Sequence, residues 1–485
     1  MSSIKPMLQV ICRKLADHKG AKRVWLEGRR LSDAGFVPGV RYRLTVDRAA
    51  RALSLDLTEG THVVSRKRVN EREVPVIDLC NRDLAELFGS IDRVKVEIHP
   101  ERIRLTVHPD DAATLERAER LLAKVKSGET LNVGSIAHGG GILDHAVHAG
   151  LKQAGLKSRL AFAVEIQHDY LEASLANSGL WDSEALAIEA PMEEVEPDML
   201  PKVEVLCAGL PCTGASLSGR AKNGLKFAEQ HETAGTLFVA FLRIVKACAP
   251  TCLIFENVVP YGSTVSFHVV TDVLKQWGYE LHETVLDGNQ MGAIEDRKRL
   301  CLVAVTKGVS FDLAGLQAVR AKEATLGEVL ENVPDDSPMW KDYAYLAAKE
   351  VRDMEAGKGF RRQLLGPEAE KCGVVGRGYC KCRSTETFVK HPSGDGRSRL
   401  FTPAEHARVK TIPAHLVDGL SNTTAHEILG QSVIWAAFVA VAKLLGEHLV
   451  SFGRDGIAIA TRAVPVSPVV AALPSQGSLF TEAAA

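Results

Sequence analysis

The sequence predicts an α/β protein that carries a smaller β-rich region at its N-terminus. From Leu131 onward, short apolar runs alternate with helical segments, which is the pattern of a parallel sheet covered by helices on both faces. Before that point, residues 1–110 hold stretches in which apolar and polar residues alternate, as in half-buried strands. The length of 485 residues allows two to four domains at roughly 100–200 residues each.

The N-terminal region contains a weak internal repeat. Residues 25–46 align with residues 77–98, and each copy has a short helix, an aromatic residue (Phe36 or Phe88) and then an alternating strand. Two copies of such a hairpin would complete one small fold, since neither copy buries its apolar face alone. Chance similarity between two strand-rich segments is the alternative.

Composition divides the rest of the chain. A charged amphipathic helix is expected near residues 112–126, followed by a linker at 127–130. After about residue 309 the apolar runs become sparse while Gly, charged and Cys content rises, which indicates an inserted module. The predicted boundaries are 1–110 for the N-terminal domain, 111–130 for the helix and linker, 131–308 and 397–450 for the two parts of the α/β domain, 309–396 for the insertion and 451–485 for the tail.

The net charge of -1, from 59 Lys and Arg against 60 Asp and Glu, hides an uneven distribution. Residues 1–70 contain 15 basic and 6 acidic side chains, a balance of +9, and the other 44 basic and 54 acidic side chains give -10. This distribution predicts a basic N-terminal region suited to nucleic-acid phosphates and an acidic body. A solvated basic face or a protein-docking domain is the alternative.

Cysteine content and hydropathy predict the cellular compartment. Ten cysteines in 485 residues are too few for a disulfide scaffold, which favours a reducing environment. No stretch approaches the ~18–20 uninterrupted apolar residues of a membrane span, and the N-terminus lacks an apolar core followed by a small-residue cleavage site. We therefore expect a soluble, cytoplasmic protein with no membrane contact.

A glycine-rich segment, residues 133–151, is the first candidate ligand site. It follows a predicted strand and opens a predicted helix, where backbone N–H groups can meet a nucleotide or nucleoside. This segment alone would also fit a dehydrogenase. The next strand ends at Glu165, whose carboxylate can accept hydrogen bonds from ribose hydroxyls. A solvated glutamate at a strand end is the alternative.

Further reactive side chains are predicted at the carboxyl end of the sheet, where open α/β sheets bind ligands. Cys212 follows an apolar strand in a Gly/Pro turn, a position that suits a nucleophile, whereas Cys207 lies within the strand and is expected to be structural. Glu256 follows a second strand. Arg297 and Arg299 begin a third strand and, two residues apart, share one face. Each alone is compatible with a structural ion pair, but together they predict a catalytic site.

These segments, from about Leu131 to Leu445, resemble the DNA (cytosine-5)-methyltransferases. Cys212, Glu256 and Arg297 follow one another at intervals of 44 and 41 residues, in the order of that family. The matching blocks are GGGILDHAVHAGL, AGLPCTGAS, FENV, EDRKR, RLFTPAEHARVKTIP and HEILGQSVIWAAFVAVA. The resemblance implies an S-adenosylmethionine-dependent methyltransferase with a Rossmann-like sheet, and a target recognition domain inserted between the EDRKR and RLFTP blocks.

The resemblance also implies a covalent mechanism. The thiolate of Cys212 adds to C6 of cytosine, Glu256 donates to or bridges N3, and Arg299, supported by Arg297, holds O2 and the glutamate. C5 then attacks the sulfonium methyl of S-adenosylmethionine, a base removes the C5 proton and the thiolate leaves. Because a paired base cannot reach such a pocket, the implied substrate is double-stranded DNA with the cytosine flipped out.

The donor pocket is implied in the same way, with departures from the family pattern. Thr213 replaces the usual Gln, Ile294-Glu295 the usual Pro-Gln, and Gln431-Ser432-Val433 the usual Asn-Ser-Val. Three alternatives therefore stay open: an RNA cytosine-5 methyltransferase, a cytosine C5 alkyltransferase with a modified sulfonium donor, and a catalytically silent DNA-binding regulator. The residues implied to bind S-adenosylmethionine are Gly139, Gly140, Gly141, Glu165, Ile166, Glu189, Pro211, Gln431 and Ser432.

A cysteine-containing stretch of the insertion has two interpretations. Cys372, Cys380 and Cys382, with His391 downstream, raise the possibility of zinc, but C-x7-C-x-C lacks the CxxC pairs of structural zinc sites. We therefore predict no metal. The preferred interpretation is a DNA-facing loop that reaches phosphates or base edges. Its candidate DNA-binding residues are Arg377, Lys381 and Arg383.

Two shorter resemblances lie near the ends of the chain. Residues 24–55 resemble SymE-like toxins of the AbrB-type swapped-hairpin class, which favours a DNA-binding role for the N-terminal domain. The tail has Gln476, Leu479 and Phe480 at the spacing of the peptide by which bacterial replication proteins bind the sliding clamp, although so short a match also arises by chance. We expect a bacterial or phage-encoded protein that associates with DNA and serves restriction-modification.

Overall fold

The computed structural model describes residues 8–18, 21–89, 91–211, 235–358 and 361–456. The chain divides at Pro109 into two compact units, the N-terminal unit and the C-terminal unit. Cys212, Thr213 and the tail residues Gln476, Leu479 and Phe480 lie outside the described residues.

The described part of the N-terminal unit is built from short antiparallel strands and two helices. The elements are β1 (Gln9–Lys14), β2 (Ala16–His18), β3 (Ala21–Glu27), α1 (Arg29–Asp33), β4 (Arg41–Asp47), β5 (Ala52–Asp56), β6 (His62–Val63), β7 (Ser65–Val69), β8 (Arg72–Leu79), α2 (Arg82–Phe88), β9 (Arg93–His99) and β10 (Arg102–Val107). The alternation of apolar and polar residues explains why these segments form strands. In β9, for example, Val94, Val96 and Ile98 are buried while the residues between them are not.

The strand orders of this unit are symmetric. They are β1-β9-β10-β5-β4-β6 in one sheet and β2-β3-β8-β7 in the other. If β1–β5 are relabelled as β6–β10, and β6–β10 as β1–β5, each strand order becomes the same order read from its other end. The segments 25–46 and 77–98 cover equivalent elements, and the aligned Phe36 and Phe88 are both fully buried. The halves also exchange edge strands, because β1 pairs with β9 and β6 pairs with β4. Each half therefore completes the sheet of the other.

The C-terminal unit alternates strands and helices around one large sheet. Its elements are α3 (Pro109–Ser127), β11 (Leu131–Ile136), α4 (Ile142–Gln153), β12 (Ser158–Glu165), α5 (His168–Asn177), β13 (Leu186–Glu189), β14 (Val205–Gly209), α6 (Leu237–Cys248), β15 (Cys252–Asn257), α7 (Val265–Gln276), β16 (Tyr279–Asp287), β17 (Lys298–Thr306), α8 (Ala344–Glu355), β18 (Gln363–Leu365), β19 (Thr387–Lys390), β20 (Ser398–Arg399), α9 (Pro403–Val409), α10 (Asn422–Gln431) and α11 (Trp435–Asp455).

The large sheet is mixed, whereas the sequence predicted a parallel one. Its order is β13-β12-β11-β14-β15-β17-β16, and β17 runs antiparallel to both of its neighbours. The physical reason is the connection from β16 to β17, residues 288–297. A parallel return needs a crossover of about a dozen residues or more, usually with a helix, so this shorter segment closes a hairpin instead.

The charged helix α3, which the sequence predicted as a segment between the N-terminal and α/β domains, belongs to the C-terminal unit. Arg117 is buried and donates to the carbonyl of Trp277 at 2.7 Å and to the hydroxyl of Thr306 at 2.9 Å. Lys124 pairs with the fully buried Glu204 at 2.7 Å. In the sequence these charged residues look like the solvated face of a helix. In the structure they pair with residues of the large sheet and its connections.

The last helix, α11, is long and apolar enough by length and composition to cross a membrane. However, 72% of its apolar window is buried inside the protein. A side chain at Gly150 of α4 would come within 2.5 Å of the Val439 carbonyl, so these two helices pack backbone to backbone. Burial on this scale is typical of the core helix of a globular domain.

The insertion shares its core with the segment before β17. It contributes α8, a three-stranded sheet of order β18-β19-β20, and an apolar cluster that includes Trp340, Cys372 and Tyr379. The same cluster includes Ile294, which precedes β17, and Val409 at the end of α9. The insertion is thus anchored directly beside the two candidate arginines.

Candidate active site

The carboxyl ends of the parallel strands bring the predicted reactive groups to one edge of the large sheet. Gly209 at the end of β14 is in register with Glu256 near the end of β15. Because β17 runs in the opposite direction, its first residues lie at this same edge, and Glu256 is in register with Cys301. The sheet thus places Arg299 next to Glu256.

Glu256 and Arg299 form the central ion pair of this edge. Arg299 Nε lies 2.8 Å from Glu256 Oε1, and the side chains are 16% and 12% exposed, respectively. Burial raises the pKa of Glu256, while the nearby guanidinium groups of Arg299 and Arg297 oppose the rise. The site therefore holds a carboxyl group that keeps its proton to a higher pH than an exposed glutamate does.

Arg297 has different partners from Arg299. Its side chain is 2% exposed, its Nη1 lies 3.3 Å from Glu295 Oε1, and its Nη2 donates to the Gly430 carbonyl at 3.2 Å. Burial lowers the pKa of Arg297 to about 10. Arg297 is therefore locked into the structure behind the Glu256–Arg299 pair, in keeping with a supporting role.

The described chain reaches Pro211, which is exposed, and Cys212 is the next residue. Asn257 supports this approach: its Nδ2 donates to the Leu210 carbonyl at 3.1 Å, and its Oδ1 accepts from Val258 N at 2.8 Å. Asn257 is buried, and the sequence predicted it at this edge beside Glu256, in the FENV block, without assigning it a role. The signal available in the sequence was its position directly after Glu256 at a strand end.

The glycine-rich loop and Glu165 are in direct contact. Gly139 and Gly141 both have positive φ, at 58° and 76°, a conformation that favours glycine. Gly139 N donates to Glu165 Oε2 at 2.6 Å, and Gln167 N donates to Glu165 Oε1 at 2.9 Å. The carboxylate at the end of β12 therefore orders the loop between β11 and α4.

A network of buried hydrogen bonds lies next to the glycine-rich loop, and it was not predicted from the sequence. His138 lies between Ser135 Oγ, at 3.0 Å, and Ser174 Oγ, at 2.7 Å. Ser135 in turn donates to Asp144 Oδ2 at 2.9 Å. The available signal was the occurrence of polar residues in an apolar strand and on the buried face of α4.

The other candidate donor residues surround this loop. Ile166 is 57% exposed, an apolar side chain left open beside the Glu165 carboxylate. Glu189 is the register partner of Glu165 and lies 2.9 Å from His168 Nδ1. A side chain at Gly139 would meet open space. An exposed apolar side chain, strand-end carboxylates and an open glycine fit a nucleoside with a flat ring and ribose hydroxyls.

Helix α10 completes this side of the edge. A side chain at Gly140 would come within 2.6 Å of Ile428 Cγ2, so the glycine allows α10 to approach the loop. Gln431 ends α10 and is exposed, and Ser432 donates to the Leu429 carbonyl at 2.7 Å. The last block of the sequence therefore returns to the glycine-rich loop.

The three candidate DNA-binding residues lie along one segment of the insertion. The Arg377 guanidinium is 5.6 Å from the centre of the Tyr170 ring and 3.8 Å from Glu427 Oε2. Lys381 is exposed in a short 3-10 turn, and Arg383 is exposed as well. Arg377 thus lies against α5 and α10, on the side of the glycine-rich loop.

Of the cysteines of this segment, Cys380 and Cys382 are neighbours, since Cys382 Sγ lies 3.7 Å from the Cys380 carbonyl. Cys372 is buried, Cys380 Sγ lies 3.7 Å from the Asn422 carbonyl, and Cys382 Sγ lies 3.8 Å from the Tyr343 hydroxyl. His391 contacts Ser393. Within the described ranges, no group of three His, Cys, Asp or Glu side chains is arranged to hold a metal ion.

Comparison with known proteins identifies this arrangement. The family model for C-5 cytosine-specific DNA methylases matches residues 141–447, and it does not reach the N-terminal unit. The chain is 27% identical over 305 residues to the type II methyltransferase M.NlaX of Neisseria lactamica, covering 61% of this chain and 91% of that protein. It is 28% identical over 254 residues to the type II methyltransferase M.MspI of Moraxella sp, covering 52% and 57%.

The fold is shared with solved structures. A Spodoptera frugiperda DNMT2 variant aligns with a TM-score of 0.50 at 14% identity, over 65% of this chain and 99% of that one, which shows the fold alone. The family match covers well over half of the chain and includes the Glu256 and Arg299 edge. The chain therefore belongs to the C-5 cytosine-specific DNA methylase family.

Proposed function

We propose that this protein transfers a methyl group from S-adenosylmethionine to C5 of cytosine in double-stranded DNA, through a covalent bond to Cys212. The observation that carries the proposal is the partly buried Glu256–Arg299 pair, 2.8 Å apart, at the edge where β14 leads into Pro211 and Cys212. A carboxyl and a guanidinium at this edge, with Cys212 next in the chain after Pro211, suit attack by a thiolate on a ring whose developing charge needs fixed partners.

Each residue has a defined part in this reaction. The Cys212 thiolate bonds to C6, and the electron pair of the C5–C6 double bond becomes available at C5. Glu256, whose pKa burial raises, donates a hydrogen bond or proton to N3, and Arg299 holds the carboxyl in place. S-adenosylmethionine, when bound, would supply an electrophilic methyl group to C5, and its sulfur would keep the electron pair of the broken S–CH3 bond and leave as a thioether. Loss of the C5 proton to a base then restores the double bond and expels the Cys212 thiolate.

The donor side is proposed from the surroundings of the glycine-rich loop. Glu165 would accept hydrogen bonds from ribose hydroxyls, Ile166 would pack against the adenine, and Glu189 would lie near its amino group. Gly139, Gly140 and Gly141 would line the methionine end, with Pro211, Gln431 and Ser432 closing the pocket. The contacts of Gly139 with Glu165 and of Gly140 with Ile428 support this assignment.

The cytosine must leave the duplex to reach this edge, at a cost of a few kcal/mol of unstacking. We assign Arg377, Lys381 and Arg383 to DNA contacts, and residues 309–396 to target recognition. The bacterial relatives support a bacterial or phage origin, a cytoplasmic location and a restriction-modification role. Contact of Gln476, Leu479 and Phe480 with a sliding clamp stays a proposal from the sequence.

Replacing the nucleophile tests the reaction. Cys212→Ala should incorporate no methyl group into DNA while still binding it, because the covalent step is lost and the binding surface is not. The measurement is transfer of label from S-adenosylmethionine, with mass analysis of the product nucleosides. Cys80→Ala removes an exposed thiol from the N-terminal unit and is the control, expected to match wild type.

The same experiment separates the alternatives. C5 methylation by Cys212→Ala would sink the mechanism. Label in RNA but not DNA would indicate the RNA enzyme, a heavier product would indicate a modified sulfonium donor, and DNA binding without any label by wild type would indicate a silent regulator.

The N-terminal unit is proposed to bind the DNA backbone. Directly paired residues of antiparallel strands lie on the same face of a sheet, and Arg104 is paired with Glu97 and with Ser54. Extending this register across the six-stranded sheet defines its solvent-facing side, here called the basic face. Its charged residues are Lys14, Arg41, Arg43, Arg93, Lys95, Arg102 and Arg104, against Asp47, Asp56 and Glu97.

The basic face repeats its charges in both halves of the unit. Arg41 and Arg43 of β4 correspond to Arg93 and Lys95 of β9 in the symmetric strand order. Arg43 donates to the Glu59 carbonyl at 3.2 Å rather than to a carboxylate. An excess of cations spread over a flat face is suited to a polyanion such as a DNA duplex.

A further inference from the structure

A cluster of buried charges lies directly behind the Glu256–Arg299 pair. Glu295 and Lys410 are fully buried, and Arg297 is 2% exposed. Glu295 precedes β17, whereas Lys410 follows α9, which comes after the insertion in the chain. Side chains of opposite charge, 115 positions apart, therefore meet inside the protein.

Glu295 joins these cations through both carboxylate oxygens. Lys410 Nζ lies 2.5 Å from Glu295 Oε2, and Arg297 Nη1 lies 3.3 Å from Glu295 Oε1. Burial lowers the pKa of Lys410 to about 7, and Arg297 adds to the decrease while Glu295 opposes it. Glu295 is thus the carboxylate that compensates both buried cations.

Glu295 also anchors the insertion. Its Oε1 accepts from Val375 N at 3.2 Å. The adjacent backbone pairs with Cys372, whose N–H donates to the Ile294 carbonyl at 3.1 Å and whose carbonyl accepts from Asp296 N at 2.9 Å. One side chain therefore contacts the insertion, the supporting arginine and the lysine that follows α9.

The charge balance makes this arrangement sensitive to single changes. Three cations, Lys410, Arg297 and Arg299, share the carboxylates of Glu295 and Glu256. Removing one partner of a buried ion pair leaves an uncompensated charge, whereas replacing both partners together is often tolerated. Glu295 is the carboxylate that opposes the lowered pKa of Lys410, and Glu295 and Glu256 both act on Arg297. Without the charge of Glu295, Lys410 would lose this partner and Arg297 would depend on Glu256, which already pairs with Arg299.

We propose that Glu295 and Lys410 act as a matched pair of positioning residues, which hold Arg297 at the start of β17 and so fix Arg299 against Glu256 while seating the insertion. This inference rests on the proposed methyl transfer. It assigns no contact with the substrate to either residue: both act through Arg297 and the backbone of β17.

The test compares single and paired replacements in the full-length protein. Glu295→Gln and Lys410→Gln each remove one charge, and the double variant Glu295→Gln/Lys410→Gln replaces the ion pair by two amides. The readouts are kcat and the KM values for donor and DNA, scaled to the folded fraction. We expect each single variant to lose about 10- to 100-fold in kcat, since small misplacements at a reacting centre cost up to about 100-fold. The KM for S-adenosylmethionine should stay within about two-fold, because the contacts of the glycine-rich loop with Glu165 and Ile428 involve neither Glu295 nor Lys410.

The double variant should recover kcat to within about five-fold of wild type, because it removes one cation and one carboxylate and so restores the net charge of the cluster. Glu204→Gln is the matched control: Glu204 is also fully buried and ion-paired, with Lys124 at 2.7 Å, but it precedes β14 at the opposite edge of the sheet. It should lower the melting temperature without changing kcat.

The outcomes separate this proposal from the proposed function. Wild type that transfers no methyl group overturns both. If the wild type is active and both single variants keep kcat within two-fold of it, the positioning role alone is overturned. The positioning role is also overturned if the kcat of the double variant is no higher than that of the slower single variant. If neither single variant folds, the double variant decides: kcat near wild type supports the pair, and a loss beyond about ten-fold overturns it.

Discussion

At the residue scale, function depends on the environment of single side chains, and Glu256 is the clearest case. Its raised pKa comes from burial, and its contact with Arg299 fixes the direction in which the carboxyl points. An amide of the same shape can donate a hydrogen bond but cannot give up a proton. Glu256→Gln should therefore lower the single-turnover methylation rate by about 100-fold or more, the usual size of a lost acid or oxyanion contact.

The control for this change is Glu280→Gln, an exposed glutamate on β16. It should leave the rate unchanged. Wild-type rates in Glu256→Gln would show that the carboxyl takes no part in the reaction, whatever its position at the sheet edge.

His148 on α4 makes stability depend on pH. Burial lowers the pKa of His148 to about 4, and its Nδ1 lies 2.7 Å from Ser158 Oγ. Between about pH 6.5 and 4 the unfolded chain binds a proton that the folded one does not, so the free energy of unfolding falls with falling pH, by about 1.4 kcal/mol per pH unit for this group. His148→Gln should reduce that slope by about this amount in denaturant titrations.

His168 provides a control of opposite sign. It is exposed, and its hydrogen bond with Glu189 raises its pKa, so the stability that it contributes is present at low pH and is lost as pH rises. His168→Gln should therefore steepen the loss of stability on acidification slightly. A slope unchanged by His148→Gln would mean that His148 is protonated in the folded state.

At the element scale, the strands were predictable and their directions were not. The runs that became β11, β12, β14 and β15 were visible because buried parallel strands are continuously apolar. Neither the hairpin of β16 and β17 nor the return of α3 to the large sheet was predicted. Direction depends on the length of the connection, and the position of α3 depends on partners such as Trp277, which lies 160 positions from Arg117.

The basic face of the N-terminal unit gives a prediction at this scale. Arg43→Ser combined with Arg104→Ser should reduce the slope of log binding constant against log salt by about two for the full-length protein on duplex DNA, since each phosphate contact contributes about one. The loss of affinity should be similar for all sequences.

The matched control removes the same charge from the other sheet of the unit. Arg66 and Arg68 are exposed on β7, and Arg66→Ser combined with Arg68→Ser should leave the salt slope unchanged. Equal effects of both pairs would indicate general attraction rather than a binding face.

At the scale of the whole molecule, the sequence by itself determined the family and the order of the blocks, and it predicted which side chains react. In the sequence, Cys212 and Glu256 come at the ends of apolar runs and Arg299 comes at the start of one, and such runs show locally where strands begin and end. The symmetric halves of the N-terminal unit were also visible as a weak repeat, although the exchange of β1 and β6 between the halves was not.

Only the tertiary structure decided which distant groups meet. Asn257 bonds to Leu210, His138 lies between two serines, and Glu295 pairs with Lys410. The physical reason is that hydrophobic periodicity reports which face of an element is buried, and says nothing about the partner that covers it. A buried charge looks like a solvated one in the sequence, because the opposite charge that compensates it can lie a hundred residues away.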